Sequence, residues 1–123
     1  MHELSICQAL LARVEEIACQ HAASSVRRVR VSVGPLSGVD PALLARAYGF
    51  ASFGTVAEGS DLAIEVAPVR VRCRACGAES AARANRLLCA ECGSWQADVA
   101  SGDELLMLDV ELSTELKTVP LMI

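Results

Sequence analysis

Aromatic residues are scarce in this 123-residue chain: one Trp, one Tyr and two Phe. So few rings offer little stacking surface to single-stranded nucleic acid. Since 53% of the residues are hydrophobic, the core must be built from Ala, Val and Leu. An excess of positive charge is also missing. Eleven basic residues stand against fifteen acidic ones, a formal charge of −4, which disfavours nucleic acid as the main partner. The longest run free of charge, Ala47 to Ala57, falls well short of the ~20 residues that cross a bilayer, and no membrane partner is expected. Met1-His2-Glu3 lacks a basic n-region and an amphipathic pattern begins at once, so a cytoplasmic protein is expected. No Ser/His/Asp set, phosphate-binding glycine loop or paired-carboxylate site stands out. An enzyme is therefore not expected.

What the chain does have is a doubled cysteine motif. Cys73-Arg-Ala-Cys76-Gly77 and Cys89-Ala-Glu-Cys92-Gly93 stand twelve residues apart. Thiolates at i and i+3 close on one ion when the backbone turns tightly between them, and the following glycine permits the φ > 0 geometry that ends such a turn. Two turns together supply four sulfurs, the tetrathiolate shell of structural zinc. The alternatives are two disulfides or buried free thiols; a reducing compartment favours the metal.

Periodicity organises the rest. Leu4, Cys7, Leu11, Val14 and Ala18, with Leu10 and Ile17, predict a helix from Leu4 to about His21. Cys7 falls in its apolar stripe and Cys19 toward its polar side, while His21 reads as a capping or partly buried residue. Val29, Val31 and Val33 alternate with Arg28, Arg30 and Ser32, predicting a strand with one buried face. Asp40-Pro41 marks the start of a second helix, with aspartate as N-cap and proline at the first turn. Leu43, Leu44, Ala47, Tyr48 and Ala51 would form its apolar side. Leu62, Ile64 and Val66 open a long strand that continues through Val69 and Val71 to Cys73, interrupted at Pro68 by a bulge or an edge. A last strand would turn Leu106, Leu108, Val110 and Leu112 one way and Asp109 and Glu111 the other. The tail from Ser113 carries no assignment. The expected fold is α/β: a three- to four-stranded sheet, two helices and an inserted zinc-ribbon-like four-cysteine module. Its boundaries are residues 1–72 plus 97–123 for the α/β domain and 73–96 for the insert.

The first three residues offer a second metal site. The Met1 α-amine, the His2 amide nitrogen and imidazole, and the Glu3 amide or carboxylate can form fused chelate rings on one ion. Such a square-planar N/O set suits nickel(II) or copper(II). An exposed histidine with no ligand role is the plain alternative.

Four segments occur in order at matching separations: Met1-His2-Glu3-Leu4-Ser5, Gly34-Pro35-Leu36-Ser37-Gly38-Val39-Asp40-Pro41, the two CxxCG turns and Ser101-Gly102-Asp103-Glu104. Together they resemble the HypA/HybF family of hydrogenase maturation factors, over nearly the whole chain to about Leu112. The resemblance implies a nickel metallochaperone, monomeric or homodimeric, that passes nickel to the large subunit of nickel–iron hydrogenase with a HypB-like GTPase. It implies that His2 ligates nickel with the Met1 amine and Glu3, that Asp40 is a further nickel contact, and that Cys73, Cys76, Cys89 and Cys92 hold zinc. An N-cap role explains Asp40 equally well. Two other readings compete. Arg70, Arg72, Arg74, Arg83 and Arg86 would serve a nucleic-acid-binding zinc ribbon, although they also offset a tetrathiolate centre of about −2. A dithiol oxidoreductase would place one CxxC at a helix N-terminus rather than both in matching glycine-ended turns.

Overall fold

A computed structural model describes residues 2–113 and 117–120, with His2 and residues 117–120 described by their backbone only. The elements run α1 (His2–Gln20), β1 (Val26–Val33), α2 (Pro41–Ala51), β2 (Asp61–Val66), β3 (Arg70–Cys73), β4 (Glu79–Ala81), β5 (Ala97–Ser101), β6 (Leu105–Leu112) and β7 (Lys117–Pro120). They form two compact units. One contains both helices and a four-stranded sheet of order β2-β1-β6-β7; the other comprises Ser32–Gly38 and Val66–Leu105 and contains the three-stranded sheet β4-β3-β5. The architecture is the expected α/β layer with a four-cysteine module. The cysteine-bearing unit extends beyond 73–96, because β3 and β5 pair on either side of that segment.

In the first unit α1 packs against α2. Cys7, Leu10, Leu11, Val14, Ile17 and Ala18 are buried, steps of three and one that lay one stripe along the helix. Leu4 departs from the expected stripe and is 39% exposed. The helix ends where Ala22 takes φ 53°, with the Ala23 amide reaching back to the Ala18 carbonyl at 2.9 Å, and His21 is exposed rather than partly buried. Val29, Val31 and Val33 of β1 are buried, as their alternation predicts, and Val26, out of phase with them, is buried too. Two of the arginines between them are answered by the neighbouring strands. Arg30 donates to Glu65 on β2 (2.6 Å) and to Asp109 on β6, and Arg27 faces Glu111 at 3.9 Å. That pairing explains why Asp109 is buried.

Asp40 caps α2 as expected, its Oδ1 accepting from the amides of Ala42 (2.9 Å) and Leu43 (3.2 Å). The apolar side of α2 is narrower than its composition suggests. Leu44 and Tyr48 are buried, whereas Leu43 is 43% exposed and Phe50 78%. The expected long strand is two strands in different sheets. Pro68 has no N–H to give a ladder, so β2 stops at Val66 and β3 begins at Arg70. Within the tail, β7 pairs antiparallel with β6, Val110 opposite Val119.

In the second unit β3 pairs antiparallel with β4 and β5, Val71 facing Ser80 on one side and Val99 on the other. Its apolar core is small: Ala67, Val69 and Val71, with Cys73 and Cys89. Gly34 closes the unit by lying against Gly102. The Gly34 amide donates to the Glu104 carbonyl (2.8 Å) and the Leu36 amide to the Gly102 carbonyl (2.7 Å). Two of the motifs singled out in the sequence thus meet through backbone alone.

Candidate metal centre

The two CxxCG segments fold into matching turns. The Gly77 amide donates to the Cys73 carbonyl at 3.0 Å and the Gly93 amide to the Cys89 carbonyl at 2.8 Å, with glycine φ of 78° and 76°. A side chain there would be strained, which is why each turn ends in glycine. Each turn aims backbone N–H groups at its first sulfur. Ala75 and Cys76 donate to Cys73 Sγ, both at 3.3 Å, and Cys92 donates to Cys89 Sγ at 3.4 Å.

All six cysteines are free thiols. Cys73, Cys76, Cys89 and Cys92 bring their sulfurs within 4.8 Å of one another, with Cys73–Cys92 and Cys76–Cys89 each at 3.6 Å. A tetrahedral ion with metal–sulfur bonds of ~2.3 Å needs sulfurs about 3.8 Å apart. The four-cysteine site therefore fits a metal ion. Its electrostatics agree. The Cys76 amide, acting against burial, brings the Cys73 thiol down to about 6, and the Cys92 amide lowers Cys89 in the same way. Cys92 is pushed up to about 12: the Ser94 amide opposes the rise but is outweighed by hydrogen bonding with Cys73, burial and the other two sulfurs. Cys76 is raised too, against the Ala78 amide, by Cys89, burial and Cys73. Four adjacent sulfurs hold protons back because four negative charges repel, and a divalent cation removes that obstacle.

Three nearby arginines are already neutralised. Arg70 and Arg72 pair with Glu79 at 2.9 and 3.3 Å, and Arg74 with Asp98 at 3.5 Å. The Glu79 carboxyl is held below the usual carboxylate range, chiefly by its hydrogen bond from Arg70. That arrangement weakens the nucleic-acid reading, which requires free cations.

At the start of α1, Glu3 is buried and its Oε2 accepts from the Asp40 amide at 3.2 Å. Two residues distant in sequence, both singled out as nickel contacts, are thereby adjacent. Met1 and the His2 side chain lie outside the described residues. Cys7 lies in the core, its thiol donating to the Leu44 carbonyl at 3.5 Å and raised first by burial and then by Glu3. Beside Glu3 lies an apolar basin of about 330 Å³ that the sequence pattern does not reveal, lined by Leu4, Leu43, Arg46, Ala47 and Phe50. Periodicity assigns Leu4 and Leu43 to buried faces, and only their position beyond the α1–α2 contact exposes them.

Residues 1–112 match the model of the HypA family, described as a metallochaperone for hydrogenase/urease nickel incorporation. The chain belongs to the HypA family. It is 54% identical over 114 residues to the hydrogenase maturation factor HypA of Nitrosospira multiformis, covering 93% of this chain and 99% of that one. It is 40% identical over 115 residues to the HypA of Aquifex aeolicus, covering 94% of this chain and all of that relative. The solution structure of the Ni metallochaperone HypA from Helicobacter pylori is similar with a TM-score of 0.65 at 28% identity, over 89% of this chain and 96% of that one. A second HypA solution structure reaches a TM-score of 0.72 at 28% identity, over 92% and 97%. The family match ends with β6, so β7 lies beyond it. Among the described residues no helix is long and apolar enough to cross a membrane.

Proposed function

We propose that this HypA-family chain binds nickel at its N-terminus and delivers it for nickel–iron hydrogenase maturation in the cytoplasm, while a structural zinc ion occupies the four cysteines. His2 and the Met1 amine are the principal nickel donors, Glu3 and Asp40 the further ones. The carrying observation is the family match over residues 1–112, which includes the terminal segment and all four cysteines. The geometry of α1 is compatible with it. The first four N–H groups of a helix have no intrahelical acceptor, so the His2 and Glu3 amides are available to a metal without unwinding the helix. Zinc is favoured at the cysteines because a closed set of four thiolates leaves no open position. The partners we assign are a HypB-like GTPase and the hydrogenase large subunit, neither of them nucleic acid or membrane. The chain's own role is to carry and release nickel, without catalysing a reaction.

The test is nickel binding measured by calorimetry on protein with a native Met1. His2→Ala is expected to abolish specific nickel binding while zinc content and fold are unchanged. Residues added before Met1 should weaken binding, since they turn the amine into an amide. Lowering the pH from 8 to 6 should release nickel, because an amine of ordinary pKa about 7.7–8.0 and an imidazole of about 6.5 then take up protons. His21→Ala is the control and should bind normally. Wild-type affinity and stoichiometry in His2→Ala would overturn the terminal site.

A further inference from the structure

The second unit contains five arginines, and three of them are committed to Glu79 and Asp98. Arg83 and Arg86 are not. They face each other as an isolated antiparallel bridge across a tight turn, the Arg86 amide donating to the Arg83 carbonyl at 3.0 Å. Residues opposed in this way project side chains to one face with Cβ atoms about 4.5–5.5 Å apart, and like charges placed there repel. Both arginines are exposed, and among the described residues neither guanidinium has an ion-pair or hydrogen-bond partner. The turn therefore keeps a repulsive pair where an acidic residue at either position would relieve it. Both residues line a basin of about 350 Å³ together with Ala81, Ala82, Leu88, Ala90 and the metal-site Cys89.

We propose that Arg83 and Arg86 form a docking site for an acidic segment of a protein partner. Carboxylates of the segment engage the two guanidiniums, and an apolar side chain between them enters the basin. Guanidinium forks match carboxylates bidentately, and binding removes the repulsion that the free turn carries. A free phosphate would satisfy the charges and leave the apolar basin unfilled. A nucleic acid would need a track of cations, and the neighbouring arginines are already paired. The site does not depend on the nickel reading: it lies at the cysteine module and takes a carboxylate ligand.

Fluorescence anisotropy of a fluorescein-labelled peptide of glutamate and leucine, titrated with metal-loaded protein, tests this. Saturable binding that weakens with salt is expected. Arg83→Glu with Arg86→Glu should lower the affinity by about tenfold or more, and Arg83→Gln with Arg86→Gln should lower it less. Arg28→Glu on β1, an exposed reversal equal in charge to Arg86→Glu alone, should leave it unchanged. Arg86→Glu alone should raise the melting temperature while weakening the peptide, since it converts a repulsive pair into an ion pair. Zinc content of each variant, by elemental analysis, shows that the module is intact. No binding to the wild-type protein, equal affinity in the glutamate and glutamine pairs, or tighter binding of an oligothymidylate of the same charge would overturn the proposal.

Discussion

Replacing Gly34 by alanine should unfold the second unit far more readily than the same change at Gly38 or Gly49. The added Cβ would lie 2.2 Å from the Gly102 carbonyl oxygen, 2.3 Å from its carbon and 2.8 Å from the Asp103 nitrogen. All three are backbone atoms, so no rotamer change relieves the clash. The approach is held by the Gly34–Glu104 and Leu36–Gly102 hydrogen bonds, 2.8 and 2.7 Å long. Opening it by roughly 1 Å takes both beyond hydrogen-bond range. At about 1 kcal/mol each, with about 1–3 kcal/mol for the overpacking, the loss comes to about 3–5 kcal/mol. Gly38→Ala meets nothing within 4 Å but sits at φ 79°, a cost of about 1–2 kcal/mol. Gly49→Ala, in α2 and also in open space, should stabilise by about 0.8–1 kcal/mol through helix propensity. Urea unfolding of zinc-loaded protein, followed by circular dichroism and by the fluorescence of Trp95 in the second unit, reads all three. An unfolding midpoint for Gly34→Ala equal to that of Gly38→Ala would refute the reasoning, because the carbonyl contact would then have no consequence.

Cys76→Ser should lose zinc and disorder the segment from about Arg72 to Gln96 while the valines of β1 stay packed; full zinc stoichiometry by elemental analysis would contradict the tetrathiolate assignment. Asp40→Ala should destabilise by about 1 kcal/mol, since the amides of Ala42 and Leu43 lose their acceptor, and thermal melts measure it. Asp40→Asn keeps the cap, so weaker nickel binding in that variant at unchanged stability would mark the carboxylate as a nickel contact, and wild-type nickel affinity would confine Asp40 to capping.

The cysteine site was legible because its chemistry is local. Two sulfurs three residues apart and a glycine after them specify a turn without reference to the rest of the chain, and the structure only had to bring two such turns together. The β1 valines were legible for a similar reason, since a period of two survives whatever packs on the strand. Sheet membership was not. Pro68 announced an interruption, but only the pairing of β3 with β4 and β5 shows that the chain changes sheets there. β4 and β5 contribute short segments such as Glu79–Ala81, too brief for a pattern to emerge from composition. Burial of Asp109 was hidden because its cause, Arg30, lies 79 residues away. Exposure of Leu4 and Leu43 was hidden because an apolar residue on a helix face is buried only where a neighbour covers it. The Glu3–Asp40 contact required the fold, for nothing in either segment refers to the other.

The two proposed metals make opposite demands, and the chain separates them accordingly. A structural ion must not leave, and the cysteine turns oppose its loss in three ways. They supply four thiolates, orient backbone amides toward the Cys73 and Cys89 sulfurs, and place those two sulfurs in the small apolar core. Losing the ion would return four sulfurs to a site that cannot hold four charges, so metal binding and folding of this unit are coupled. A cargo ion must leave when its acceptor arrives. The proposed Met1 amine and His2 imidazole suit that requirement, because their protonation alone weakens binding near neutral pH. Glu3 anchors the helix start: its bond to the Asp40 amide ties the start of α1 to the start of α2.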